Sequence, residues 1–128
     1  TDGPTSSTTD SDRTTAPPTS DGSVPADASI LEWEPFGRGL ETSSLKVPVD
    51  YDDSSKGTFD LFLMRHPARD LSKRIGTLLV NPGGPGFGGS ILAQLAPQVY
   101  SEDLLDHFDI IGWDPRGTGL SEPFIDCI

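Results

Sequence analysis

Thr77-Leu-Leu-Val-Asn-Pro-Gly-Gly-Pro-Gly-Phe-Gly-Gly-Ser90 is a short apolar run that opens into a glycine- and proline-rich turn and then into a helical pattern. Leu78, Leu79 and Val80 are too few for a helix and read as a buried strand, closed by the Gly/Pro cluster. Pro82 and Pro85 carry no N–H, whereas Gly83, Gly84 and Gly86 keep theirs with no side chain in the way. The loop therefore offers bare amides at the end of a core strand. Such a loop suits an oxyanion or a phosphate.

Downstream, Ile91, Leu92, Leu95, Val99, Leu104, Leu105 and Phe108 recur at three- and four-residue intervals, which is helical spacing. Ser90 is the expected N-cap and Pro97 the expected kink or break. Asp109-Ile-Ile-Gly-Trp113 reads as another buried strand, with Trp113 in the core, and ends in a second tight turn, Asp114-Pro-Arg-Gly-Thr-Gly-Leu-Ser121. Upstream, Leu45-Lys-Val-Pro-Val-Asp-Tyr51 alternates with period two, with Pro48 marking it as an edge strand. After the polar turn Asp52–Gly57, Thr58–Met64 reads as the returning strand of a hairpin, with Phe59, Leu61 and Leu63 on one face and Phe62 and Met64 on the other. Arg65 to Arg74 is a charged connection. Strand, helix, strand after a hairpin gives an α/β class with a right-handed parallel crossover.

Residues 1–29 are dominated by Ser, Thr, Asp and Pro, with Arg13 the only base and almost nothing large and apolar before Ile30. Such a segment cannot bury enough surface to offset its ordering entropy, and it is expected to be a disordered linker with an end-to-end distance of roughly 30 Å. Residues 30–128 form the expected folded portion. The net charge of -11, from 9 Lys+Arg against 20 Asp+Glu, argues against nucleic acid or an anionic membrane surface as partner. No apolar run reaches membrane-spanning length, and no signal-peptide pattern is visible at Thr1. The single cysteine, Cys127, leaves the chain without a disulfide of its own or a cysteine-based metal site.

Three readings of the glycine turn compete. Gly84-Pro-Gly-Phe-Gly-Gly89 fits the dinucleotide pattern G-x-G-x-x-G, and Asp114 stands about where a ribose-binding acid would lie. Against it, Asn81-Pro-Gly intervenes between strand and pattern, a hairpin precedes the unit, and Pro85 removes an amide. The triphosphate loop fails because Gly84 to Ser90 has the spacing but no lysine. The third reading is an oxyanion loop, which in acyl-transfer enzymes on an α/β sheet follows the third strand. Counting the strands near Leu45, Phe59 and Leu78 as first, second and third puts the loop there.

Here the chain resembles a family: α/β-hydrolases of the proline iminopeptidase and tripeptidyl aminopeptidase type, with a Gly-Gly-Pro-Gly loop after strand three and Asp-x-Arg-Gly-x-Gly-x-Ser after strand four. Both motifs are present, as Gly83-Gly-Pro-Gly86 and Asp114–Ser121, about thirty residues apart with a helical pattern between them. Val47-Pro-Val-Asp-Tyr51 is also typical of the exported members. The resemblance spans roughly Leu31 to Cys127. It implies the N-terminal part of an α/β-hydrolase sheet, incomplete, with a hairpin followed by a parallel β-α-β unit. The backbone N–H of Gly84 becomes the oxyanion donor, with Gly83 next.

Pro82 occupies the position where many relatives have His, a departure shared by the tripeptidyl aminopeptidase-like branch. Exported relatives often carry a cysteine pair near Phe36 and Ser44, and none stands here. In the second turn, Asp114 can accept backbone amides, Arg116 can pair with a carboxylate, and Gly117 and Gly119 permit unusual dihedrals, so the turn is expected to be a structural clamp at the site's rim. His66 and His107 are expected to be packing or surface residues.

No Gly-x-Ser-x-Gly occurs in the chain, and in the resembled family nucleophile, acid and His all follow the second turn. The resemblance therefore implies the N-terminal fragment of an exported serine hydrolase, an aminopeptidase acting on free N-termini. It carries the oxyanion loop and no nucleophile, so the chain alone is expected to be inactive. A peptide or small-molecule substrate is expected, with no cofactor and no metal. A secreted or envelope-anchored bacterial location follows, with room for a lipid anchor upstream of residue 1. In the family's strand order, Leu78 to Val80 would be left as an exposed apolar edge. Alternatives are a non-catalytic truncated domain, an esterase or epoxide hydrolase on the same scaffold, and a dinucleotide-binding module.

Overall fold

The computed structural model describes residues 31–126. The expected linker, residues 1–29, and Cys127 lie outside them. Five strands form one mixed sheet: β1 (Glu34–Gly37), β2 (Leu40–Pro48), β3 (Thr58–His66), β4 (Gly76–Val80) and β5 (Phe108–Trp113), in the order β1-β2-β3-β5-β4. The first three pair antiparallel, β3 pairs antiparallel with β5, and β4 pairs parallel with β5. The sheet, its short helices and the crossover are consistent with a partial α/β-hydrolase fold.

The hairpin forms where alternation places it, with Leu45 opposite Leu61 and Val47 opposite Phe59. Its turn is closed by side chains: Asp53 caps a 3-10 turn, Ser54–Lys56, through the Ser55 N–H, and Lys56 pairs with Asp50. The sequence count misses β1, so the glycine loop follows the fourth strand in chain order rather than the third. β2 is consequently an edge only in part. β1 covers Leu40 to Thr42, and the stretch running to Pro48 has no strand on that side among the described residues, which is how the chain accommodates a residue with no ladder N–H.

Between β4 and β5 the apolar periodicity is served by three short helices, α1 (Ser90–Gln94), α2 (Ala96–Val99) and α3 (Glu102–His107). Pro97 sits in the first turn of α2, where its missing N–H costs nothing, and Ser101 caps α3. Ser90 is not the N-cap of α1. Gly89 is, and Ser90 is the first helical residue. The helices cover one face of the sheet, where Val80, Ala96, Leu105 and Ile110 form one buried cluster and Leu40, Met64 and Ala93 a second.

On the opposite face, Leu45, Leu61, Leu63, Leu79, Ile111 and Trp113 line an apolar groove of about 240 Å³ that no helix of the described residues covers. Trp113, expected in the core, is only half-buried here. Leu79 is 64% exposed, and β4 is the sheet's terminal strand, as the strand order of the resembled family implies.

The charged connection between β3 and β4 is fixed to the sheet by one carboxylate. Asp109, 5% exposed, accepts from Ala68 N–H at 2.8 Å and from Arg74 Nε at 2.8 Å. Asp109→Ala leaves the buried Ala68 amide unpaired and should cost about 1–3 kcal/mol in urea unfolding of the protein. Asp109→Asn, which keeps an acceptor, should cost less; a loss below about 0.5 kcal/mol for the alanine variant contradicts this anchoring role.

Candidate functional site

The glycine loop leaves the carboxyl end of β4 and the Asp114 turn leaves the carboxyl end of the adjacent parallel β5, with Val80 opposite Gly112. Open α/β sheets place ligands at these strand ends. The two turns line an open cavity of about 430 Å³ whose walls include Asn81, Gly84, Phe87, Pro115, Arg116 and Thr118. The Gly84–Pro85 peptide is cis.

Asp114 joins the turns. Its carboxylate, on a residue 1% exposed, accepts from Ser90 N–H at 2.9 Å through Oδ1 and from Leu120 N–H at 2.8 Å through Oδ2. Gly88 and Gly119 press against the same carboxylate so closely that a Cβ on either would collide with it. Gly89 adds a backbone bond of 2.8 Å to the Trp113 carbonyl. Asp114 thus holds its own turn, as the sequence suggests, and also reaches 24 residues back to the first helical amide. That second contact is invisible in local sequence.

The far side of the turn is locked to β3. Asp114 N–H donates to the Phe62 carbonyl at 2.9 Å, and Ser121 Oγ donates to the Asp114 carbonyl at 2.6 Å while accepting from Phe62 N–H at 2.8 Å. The Ser121 hydroxyl replaces a ladder bond where β5 has ended. It is fully committed and offers nothing to a substrate. Arg116, expected to meet a carboxylate, instead donates from Nη1 to the Val49 carbonyl at 3.2 Å and lies over the rings of Tyr51 and Phe59. Gly117 and Gly119 take positive φ, +73° and +53°.

The two expected oxyanion donors part company. The Gly83 amide donates to Asn81 Oδ1 at 2.7 Å, so it is occupied within the loop. The Gly84 amide has no acceptor among the described residues. Gly84 also sits at φ +133°, a conformation that other residues adopt only under strain. Sequence reading ranked Gly84 first but had no signal that Asn81 would claim its neighbour.

His66 ends β3 opposite Ile110, with a buried Nδ1 that has no partner among the described residues, and the His107 ring nitrogen bonds the Asp103 carbonyl at 2.7 Å. Both stand towards the amino end of β5, away from the loops. Among the described residues no three His, Cys, Asp or Glu side chains are grouped to hold a metal ion. No helix among them is long and apolar enough to cross a membrane. A pyrophosphate would have to displace the Asp114 carboxylate from the start of α1, and Asp114 is too buried to meet a ribose. The geometry disfavours a dinucleotide.

No family model matches the chain. It is 43% identical over 91 residues to carboxylesterase B of Mycobacterium tuberculosis, covering 70% of this chain and 17% of that protein. It is 40% identical over 106 residues to the serine protease Hip1 of the same organism, covering 76% and 20%. A third relative, tripeptidyl aminopeptidase of Streptomyces coelicolor, is 29% identical over 110 residues, covering 77% and 20%. The chain thus spans about a fifth of the length of these relatives. Their names support an α/β-hydrolase-like family and hydrolase chemistry at the level of class.

If Asp114 sets the spacing of the two turns, Asp114→Ala should leave two part-buried amides without their acceptor, at about 1 kcal/mol each, and speed amide exchange at both Ser90 and Leu120. Asp114→Asn should lose less. Exchange that changes at Leu120 alone would show that the link to the glycine loop carries no weight.

Proposed function

We propose that this chain is the N-terminal portion of an exported serine hydrolase, an aminopeptidase that releases residues or short peptides from free N-termini, and that it supplies one half of the oxyanion hole. The observation that carries the reading is the Gly84 amide, without an acceptor among the described residues, in an open cavity at the carboxyl end of a parallel strand. A serine elsewhere in the whole protein attacks the acyl carbonyl and passes its proton to a histidine, which an acidic residue orients. The carbonyl oxygen gains the negative charge, and the Gly84 N–H donates to it. Collapse of the tetrahedral intermediate expels the amine, which takes the proton from the histidine. One such donor contributes ~3 kcal/mol of transition-state stabilisation.

The uncovered apolar face supports the reading of the chain as a portion. A parallel strand pair is ordinarily covered on both faces, and here Leu79 meets solvent while Leu45, Leu61 and Trp113 beside it are only half-buried. The Ser/Thr/Asp/Pro-rich first 29 residues support export, as a spacer between an envelope and a catalytic domain. A second reading, an esterase, is favoured by the 43% identity to carboxylesterase B.

The test uses the whole polypeptide that contains this segment. A fluorophosphonate probe should label it, and aminoacyl p-nitroanilides should be cleaved faster than p-nitrophenyl esters. The reverse preference selects the esterase, and no labelling overturns the hydrolase. The 128-residue chain by itself should remain unlabelled and should bind an apolar dye through its open face. Gly84→Ala should lower kcat about 100-fold by forcing the donor amide out of position.

A further inference from the structure

The bond between Asn81 Oδ1 and the Gly83 amide is the one side-chain hydrogen bond within the glycine loop among the described residues. We infer that Asn81 is a positioning residue, which occupies the Gly83 N–H and fixes the turn so that the neighbouring Gly84 amide is held for an acceptor in the cavity. This rests on the hydrolase reading given above and adds to it a residue with a definite task.

Three features restrict the loop. Pro82 confines Asn81 to extended backbone and fixes its own φ, so the chain leaves β4 in one direction. Gly83 then turns at φ +80° and is held there by the Asn81 side chain two residues earlier, at 2.7 Å. Beyond the tip, Gly89 and Ser90 are bonded to Trp113 and Asp114. The loop is therefore fixed at both ends, and at its β4 end the Asn81 carboxamide is the side chain that fixes it.

The type of side chain also fits. An N–H donates only to the carboxamide oxygen, so the orientation of Asn81 is settled by its bond to Gly83. A carboxylate could make the same bond but would place a negative charge on the wall of a cavity proposed to stabilise another one. Asn81 is itself part of that wall. A neutral acceptor holds the turn without opposing the oxyanion.

The experiment compares Asn81→Ala and Asn81→Ser with the unsubstituted whole protein. Measurements are kcat, KM, thermal midpoint and amide exchange at Gly83 by NMR on glycine-labelled protein. Alanine removes the acceptor; serine keeps a neutral one that can bond the amide two residues on. Asn81→Ala should speed exchange at Gly83 and lower kcat about 10- to 100-fold with KM within about threefold, since small misplacements of a reacting group cost that much. Affinity for a boronate mimic of the tetrahedral state should fall in parallel. Asn81→Ser should recover most of the kcat. An alanine variant with kcat within about twofold of the parent, or with unchanged Gly83 exchange, overturns the inference. So does a serine variant as impaired as alanine. If the unsubstituted protein fails to react with fluorophosphonate, the hydrolase reading falls and this inference with it. A reactive parent with an indifferent alanine variant removes the positioning role alone.

Discussion

A single buried carboxylate, that of Asp114, accepts an amide from each of two turns that leave neighbouring parallel strands. Everything at the carboxyl end of the sheet depends on that double acceptance. Burying a carboxylate is costly unless its oxygens are bonded, and here both are. The glycines on either side let the backbone close on it, and Ser121 completes the seal against β3. The result is a rigid rim with unclaimed backbone at its centre, an arrangement suited to stabilising charge that develops only during reaction.

The sheet itself is asymmetric. Its helical face holds Leu105, Ile110, Ala93 and Ala96 with no exposure, whereas the other face leaves an apolar groove open and ends in a strand whose outer ladder has no partner among the described residues. Burying large apolar side chains of this kind is worth ~1.5–3 kcal/mol each, and an uncovered strand edge invites pairing with other chains. The described residues likewise hold an amide without an acceptor and no serine aimed at it. Ser90 opens a helix and Ser121 is bonded on both sides.

Much of this was legible in the residues. Gly/Pro clusters after two apolar runs marked the ends of β4 and β5, and period-two alternation gave the faces of β3. What escaped has physical causes. β1 escaped because Glu34-Pro-Phe-Gly37 is wholly exposed and carries no burial pattern. β2 begins at Leu40, five residues ahead of the alternation, because Glu41 to Ser44 form a strand with polar side chains. Ser90 resembles a cap by composition, but the helix begins on it, and the acceptor for its own helical amide is a carboxylate 24 residues away. Likewise Gly83 and Gly84 are equivalent as letters. Only the position of the Asn81 side chain separates them.

In the proposed hydrolase, the clamp aims the Gly84 amide at an oxygen that becomes negative. A crystal structure of the whole protein with a peptidyl trifluoromethyl ketone attached to its serine measures this directly. The hemiketal oxygen should lie about 2.7–3.1 Å from Gly84 N, with Gly83 N still bonded to Asn81. An adduct oxygen turned away from Gly84, or a Gly84 N–H bonded within the protein, would contradict it.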